Sequence, residues 1–160
     1  MPPAIRPYRP EDRDDVVELS LRAWAPVFAS LENELGRELF GRLHADWRAD
    51  QDAAVRDVLG ADGVRSWVAE SDDGVVGFVA ATCHEERRIG EIAMLAVDPA
   101  AQGAGTGGAL TAVAIDWLRD SGMEVAMVET GGDPGHAAAR RVYDGAGFTL
   151  LSVARYFKPL

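Results

Sequence analysis

Residues 97–110, Val-Asp-Pro-Ala-Ala-Gln-Gly-Ala-Gly-Thr-Gly-Gly-Ala-Leu, constrain the fold more than any other stretch of the chain. An apolar, strand-like run over residues 92–97 passes through Asp98-Pro99 into a glycine-rich turn. A helical pattern follows, with Leu110, Val113, Ala114, Trp117 and Leu118 at helix spacing. A strand that delivers glycine-rich backbone to a helix start makes an anion site. The first-turn N–H groups have no intrahelical acceptor, the helix dipole favours negative charge, and glycines let a phosphate approach the main chain. Four glycines within residues 103–108 are more than a turn alone requires. The stretch therefore predicts an α/β chain that binds a pyrophosphate-bearing cofactor.

Two general nucleotide-binding patterns compete for these glycines. Residues 103–108 contain G-x-G-x-x-G, and Glu129 follows about twenty residues on, as in a dinucleotide fingerprint. The context contradicts it: further βαβ repeats are needed, and only about thirty residues remain after Glu129. A phosphate-binding P-loop is excluded because no Lys-Ser/Thr follows the glycines.

The same residues resemble the GNAT family of N-acetyltransferases. Its signature Gln/Arg-x-x-Gly-x-Gly/Ala stands here as Gln102-Gly103-Ala104-Gly105-Thr106-Gly107, after a V-x-P turn at Val97-Asp98-Pro99. A second family block, usually Asn-x-x-Ala-x-x-x-Tyr-x-x-x-Gly-Phe, runs from His136 through Ala139 and Tyr143 to Gly147-Phe148, with His136 where Asn is usual. The resemblance covers residues 65–150 well and the N-terminal region by its general plan. It implies a mixed central sheet of six to seven strands, antiparallel at first and parallel at the cofactor site, flanked by about four helices.

Length and composition agree with one such domain over residues 1–160. A hydrophobic content of 48% argues for a globular chain. No apolar run reaches transmembrane length and no signal-peptide core opens the chain. The single cysteine, Cys83, rules out an intrachain disulfide and fits a cytoplasmic protein. Three scattered histidines with no metal-ligand spacing predict no metal site. The net charge of −10 argues against nucleic-acid and anionic-membrane partners. It either favours a cationic substrate or serves solubility.

The pattern predicts a first strand over residues 5–9 and a helix from residue 10 that Pro26 ends or kinks. Helices are expected over 35–44 and 50–59. Strands follow over 65–70, 74–83 and 88–97, with Asp72-Asp73-Gly74 as a hairpin turn. After the glycine-turn helix come a strand over 124–129, a helix over 134–145, and closing strands near 148–153 and 155–158.

The resemblance implies direct acetyl transfer from acetyl-CoA to a primary amine in a ternary complex. It assigns the cofactor to Leu95, Ala96 and Val97 along the pantetheine arm and to Gln102, Gly103, Ala104, Gly105, Thr106, Gly107 and Gly108 around the pyrophosphate. His136 and Tyr143 join them. Tyr143 is the candidate general acid toward the departing thiolate; its other reading is a packing tyrosine. Glu91, eleven residues before Gln102, matches the base glutamate of some members. It otherwise reads as an ion-pair partner of Arg87 or Arg88, and the resemblance leaves an ordered water chain, used by many members, as the other base. His136 either contacts the cofactor and relays protons or caps a helix.

The acceptor pocket is assigned to Trp24, Phe28 and Glu129, with aromatic and acidic groups suited to an amine. At least one of Trp24 and Phe28 also fits a core position. The acceptor is read as a small-molecule amine, and a homodimer is expected because many relatives dimerise. A non-catalytic acyl-CoA-binding domain and a peptide-amine acetyltransferase are the alternatives.

Overall fold

The computed structural model describes residues 2–160. Five strands form one sheet in chain order, β1 (Ala4–Pro7), β2 (Arg65–Ser71), β3 (Gly74–His84), β4 (Ile89–Val97) and β5 (Val125–Val128). The first four are antiparallel; β5 joins β4 in parallel after the crossover through α4 (Thr106–Asp120). Helices α1 (Arg13–Leu35), α2 (Arg37–Leu43) and α3 (Trp47–Gly60) come between β1 and β2, and α5 (Ala137–Gly145) follows β5.

Strand alternation sends side chains to two cores. Val68, Phe78 and Ala80 meet Val16, Leu19 and Val55 of α1 and α3 on one face. Trp67, Val79 and Ala81 meet Leu110, Ala114 and Leu118 of α4 on the other. Helix α4 lies so close that a Cβ on Gly90 would stand 2.8 Å from Leu118 Cγ. At the outer edge Asp12, 6% exposed, accepts both terminal nitrogens of Arg6 at 2.8 Å and the Arg9 N–H at 2.8 Å. The Arg6 guanidinium outweighs the opposing effect of burial and holds the Asp12 carboxyl below its usual range.

One irregularity positions everything that follows. In the β3–β4 ladder Ala80 faces Met94 but Ala81 faces Ile92, so Ala93 is an extra residue in β4. The bulge exchanges the faces of the strand. Before it, Ile92 points to α4; after it, Leu95 and Val97 do, while Met94 and Ala96 turn to α1. The parallel ladder to β5 stops at the same place, at Ile92 opposite Val128. Beyond that pair the two strands have separated.

Two expectations from the sequence are corrected. Pro26 does not end α1, which continues to Leu35 and stops at Gly36, where φ is +79°. Proline removes one N–H from the helix ladder. Packing of α1 against α3, β3 and β4 holds the helix through that gap. The closing strands are also absent, so the sheet has five strands rather than six or seven. Residues 148–160 carry strand-like alternation but find no backbone ladder, and Leu151 and Tyr156 stand 83% and 91% exposed. Alternation selects a face only when a neighbouring strand is available to pair with.

Candidate active site

Separation of β4 from β5 opens a cavity of about 1030 Å³. Its walls are β4 from Ile92 to Val97, the glycine turn and start of α4, the end of β5 with Glu129, one side of α1, and α5 with Tyr143. Among the described residues no strand pairs with Ala93–Val97 on the β5 side. This backbone is thus open to hydrogen bonding along one edge.

The floor is a helix start held open by glycine. Gly103 and Gly105 adopt φ of +83° and +81°, a region that side chains other than glycine seldom enter. Space around both is free for at least 4 Å where a Cβ would stand. Ala109 N–H donates to Gly105 O at 3.0 Å. The N–H groups of Thr106, Gly107 and Gly108 precede that first bond and have no intrahelical acceptor. Thr106 Oγ1 is buried at the same point without a hydrogen-bond partner. Three orphan N–H groups and an orphan hydroxyl at one helix end form a donor set that fits phosphate oxygens.

Tertiary contacts fix this turn. Gln102 Nε2 donates to Val97 O at 3.1 Å and folds the loop back on the strand. Asp98 accepts the Ala100 N–H at 3.0 Å and two nitrogens of Arg22 on α1 at 2.9 and 2.7 Å. Burial opposes ionisation of Asp98, yet Arg22 and the amide hold its carboxyl below the usual range.

Tyr143, 9% exposed, packs edge-on against Phe148 with ring centroids 5.8 Å apart and also lines the cavity. Burial pushes its hydroxyl up to about 12. His136 lines the cavity as well, and its Nδ1 pairs with the Asp133 carboxylate. Asp133 in turn accepts from Ser30 Oγ on α1 at 2.7 Å.

Most of the residues singled out from the sequence converge here. Leu95, Ala96, Val97, Gln102, Gly103, Gly105, Thr106, Gly107, Gly108, His136, Tyr143, Trp24 and Glu129 all line the cavity. Three do not. Ala104 sits exposed in the glycine turn without bordering the cavity. Glu91 precedes the bulge and pairs with His84 on β3 at 2.7 Å, rather than with Arg87 or Arg88. Phe28 stacks on Trp47 at 4.5 Å and meets Phe40 and His44 in an aromatic cluster of α1, α2 and α3. Sequence reasoning missed Ser30, Asp133 and the Arg22–Asp98 pair. The contacts that join α1 to these residues span 76 to 105 positions, so no local pattern announces them, although Asp133 and His136 stand only three residues apart.

Known proteins resemble this chain in sequence and in fold. The acetyltransferase (GNAT) family matches residues 23–148. A mycothiol acetyltransferase from Sanguibacter keddieii is 36% identical over 94% of this chain, but the match spans only 44% of that protein's length. Among solved structures, an N-acetyltransferase from Thermoplasma acidophilum in complex with coenzyme A superposes with a TM-score of 0.72 at 15% identity, covering 96% of this chain and 94% of that one. An aminoglycoside 6′-N-acetyltransferase from Acinetobacter haemolyticus gives 0.67 at 18% identity, with 98% of each chain covered. The signature glycines, the strand separation and the family match thus coincide on one cavity, and the chain belongs to the GNAT family of acetyltransferases, whose acyl donor is acetyl-CoA.

Proposed function

We propose that this chain transfers an acetyl group from acetyl-CoA to a primary amine of a small molecule, both reactants occupying the cavity together. The observation that carries the reading is the parting of β4 from β5 directly above a helix start with unpartnered donors. A pyrophosphate on the N–H groups of Gly103 to Gly108 leaves the pantetheine arm to run along Leu95, Ala96 and Val97 by strand-like pairing. That places the thioester near Tyr143, inside a cleft wide enough for a second reactant.

Tyr143 serves the departing sulfur. A phenol held near 12 stays protonated at neutral pH. Its favoured role is therefore a hydrogen bond to the sulfur while charge develops, with proton transfer completed as the C–S bond breaks.

For the acceptor, Glu129 and Trp24 in the cavity wall and the net charge of −10 favour a cationic amine. Relatives named for mycothiol and fold neighbours named for aminoglycosides support a small molecule over a protein tail. A homodimer is supported by the exposed apolar side chains of residues 148–160 and by the unpaired edge of β5, where Val125 is 56% exposed. A single unpaired cysteine fits a cytoplasmic setting.

The test begins with thermal stability in acetyl-CoA, free CoA and NADH. A ligand at a hundred times its Kd stabilises by about 2.7 kcal/mol. Both CoA species are expected to raise Tm and NADH to leave it unchanged. Release of CoA is then followed with kanamycin, spermidine, glucosamine, an amino acid and a short peptide. Acetyl-CoA binding with no amine-dependent release identifies a non-catalytic binder, and absence of binding overturns the reading.

A further inference from the structure

Transfer to an amine needs a group that removes the nitrogen's proton, and the cavity wall offers one in an arrangement that the family motif does not describe. The usual asparagine is replaced by His136, and the residues around that histidine are organised to hold it. Asp133 Oδ1 pairs with His136 Nδ1, while its Oδ2 accepts from Ser30 Oγ at 2.7 Å and from the Gly135 N–H at 3.1 Å. Ser30 Oγ also accepts the Gly135 N–H, at 2.9 Å. Asp133 and His136 side chains are only 8% and 20% exposed.

The surrounding loop is shaped to this pair. A Cβ on Gly131 would collide with Asp133 Oδ1 and stand 2.5 Å from His136 Nδ1. A Cβ on Gly135 would stand 2.6 Å from Ser30 Cβ. Arg140 reaches back from α5 to donate to the carbonyl oxygens of Gly131 and Asp133 at 2.5 and 2.8 Å. Two glycines, a serine from α1 and an arginine from α5 thus converge on one carboxylate–imidazole contact.

Building on the acetyltransferase reading, we infer that His136 is the general base toward the acceptor amine and that Asp133, anchored by Ser30, is its positioning residue. A carboxylate on Nδ1 fixes the proton there and leaves the Nε2 lone pair free. No protein group among the described residues hydrogen-bonds Nε2, and His136 borders the cavity. In the reaction the bound ammonium first gives one proton to solvent; the free amine nitrogen then bonds to the acetyl carbon and its surplus proton passes to Nε2. The C–S electron pair leaves with sulfur, which takes a proton through Tyr143. The imidazolium, stabilised by Asp133, returns its proton to solvent and Tyr143 is reprotonated, giving the N-acetyl amine and free CoA.

The experiment compares wild type, His136→Asn, Asp133→Asn and Ser30→Ala, all checked for unchanged thermal stability. Acetyl-CoA affinity comes from calorimetry, turnover from the best amine of the panel, and the His136 tautomer from long-range nitrogen NMR. The wild type is expected to carry its proton on Nδ1. His136→Asn restores the usual family residue and keeps hydrogen-bonding capacity, yet should lower kcat about a hundredfold with acetyl-CoA Kd within threefold. Asp133→Asn should shift the proton to Nε2 and lower kcat to a similar degree; Ser30→Ala should do so about tenfold. If Asp133→Asn does not fold, Ser30→Ala carries the test of positioning. Full turnover in His136→Asn, or a wild-type proton on Nε2, overturns the base. A wild type that binds no acetyl-CoA overturns the acetyltransferase reading itself, a result separable from either.

Discussion

The two halves of the cleft are built from different materials. The half proposed for the acyl donor is main chain: glycines at positive φ, orphan N–H groups at the start of α4, and the unpaired edge of β4. Its residues lie within about a dozen positions of one another. The opposite half is side chain: Tyr143, Trp24, Glu129 and His136, held by contacts from α1 and α5 that span up to 105 residues. Backbone recognition suits a constant ligand group such as a pyrophosphate. Side-chain recognition can change with the acceptor at no cost to the donor half. The Arg22–Asp98 pair joins the halves, tying α1 to the glycine turn.

This contrast predicts that the donor half is most sensitive to an added side chain and the other half to a removed one. The largest effect is expected for Gly105→Val. A β-branched residue at a φ of +81° is strained, and its methyls would cover the free N–H groups. Acetyl-CoA affinity by calorimetry should fall about a thousandfold, roughly 4 kcal/mol. Unchanged affinity would break the claim that backbone makes this half.

Next comes Tyr143→Phe, which deletes one oxygen from the side-chain half. Burial already keeps this phenol protonated, so the change should lower kcat about a hundredfold while acetyl-CoA affinity holds within about threefold. Steady-state kinetics separates the two. A matching loss of affinity would make Tyr143 a packing residue.

A control lies outside the cleft. Asp12 is a side-chain node of the same kind, held below its usual pKa first by Arg6 against the opposing effect of burial. A depressed folded value means that its stabilisation is complete above the unfolded value of about 3.9. It is lost as pH falls through the folded value. Asp12→Asn should cost about 2 kcal/mol at neutral pH and flatten the pH dependence below about 4, measured by urea unfolding. Kinetic constants should not move.

The smallest effect is expected for Glu91→Gln. Its carboxylate pairs with His84, with both side chains partly exposed, and does not line the cavity. Amine turnover should stay within about threefold. A hundredfold loss would return the base to Glu91 and weaken the assignment to His136.

Much of the donor half is legible in the amino-acid sequence. Glycine spacing, the preceding strand and Gln102 are local, and they fold as the pattern implies because their geometry depends on neighbouring φ and ψ angles. Tyr143, on α5, is legible through its spacing from His136 before that helix and Phe148 after it. The fate of Glu91 and Phe28 is not. Glu91 lies two residues before a bulge that reverses the facing of β4, so counting from Gln102 across Ala93 misplaces it. Phe28 shares an apolar helix face with Trp24, and only the packing of α2 and α3 decides that one turns to the cavity and the other to Trp47.

Local sequence alone determined the glycine-turn helix start, the order of strands and helices through residue 145, and the family. Each rests on short-range periodicity, turn chemistry or a contiguous motif. Tertiary structure decided that α1 runs through Pro26, that residues 148–160 add no strand, where β4 and β5 part, and that Ser30 reaches Asp133 and Gly135. Those outcomes depend on which surfaces remain available once the other elements are in place, and a carboxylate chooses its partner by distance in space rather than by position in the chain.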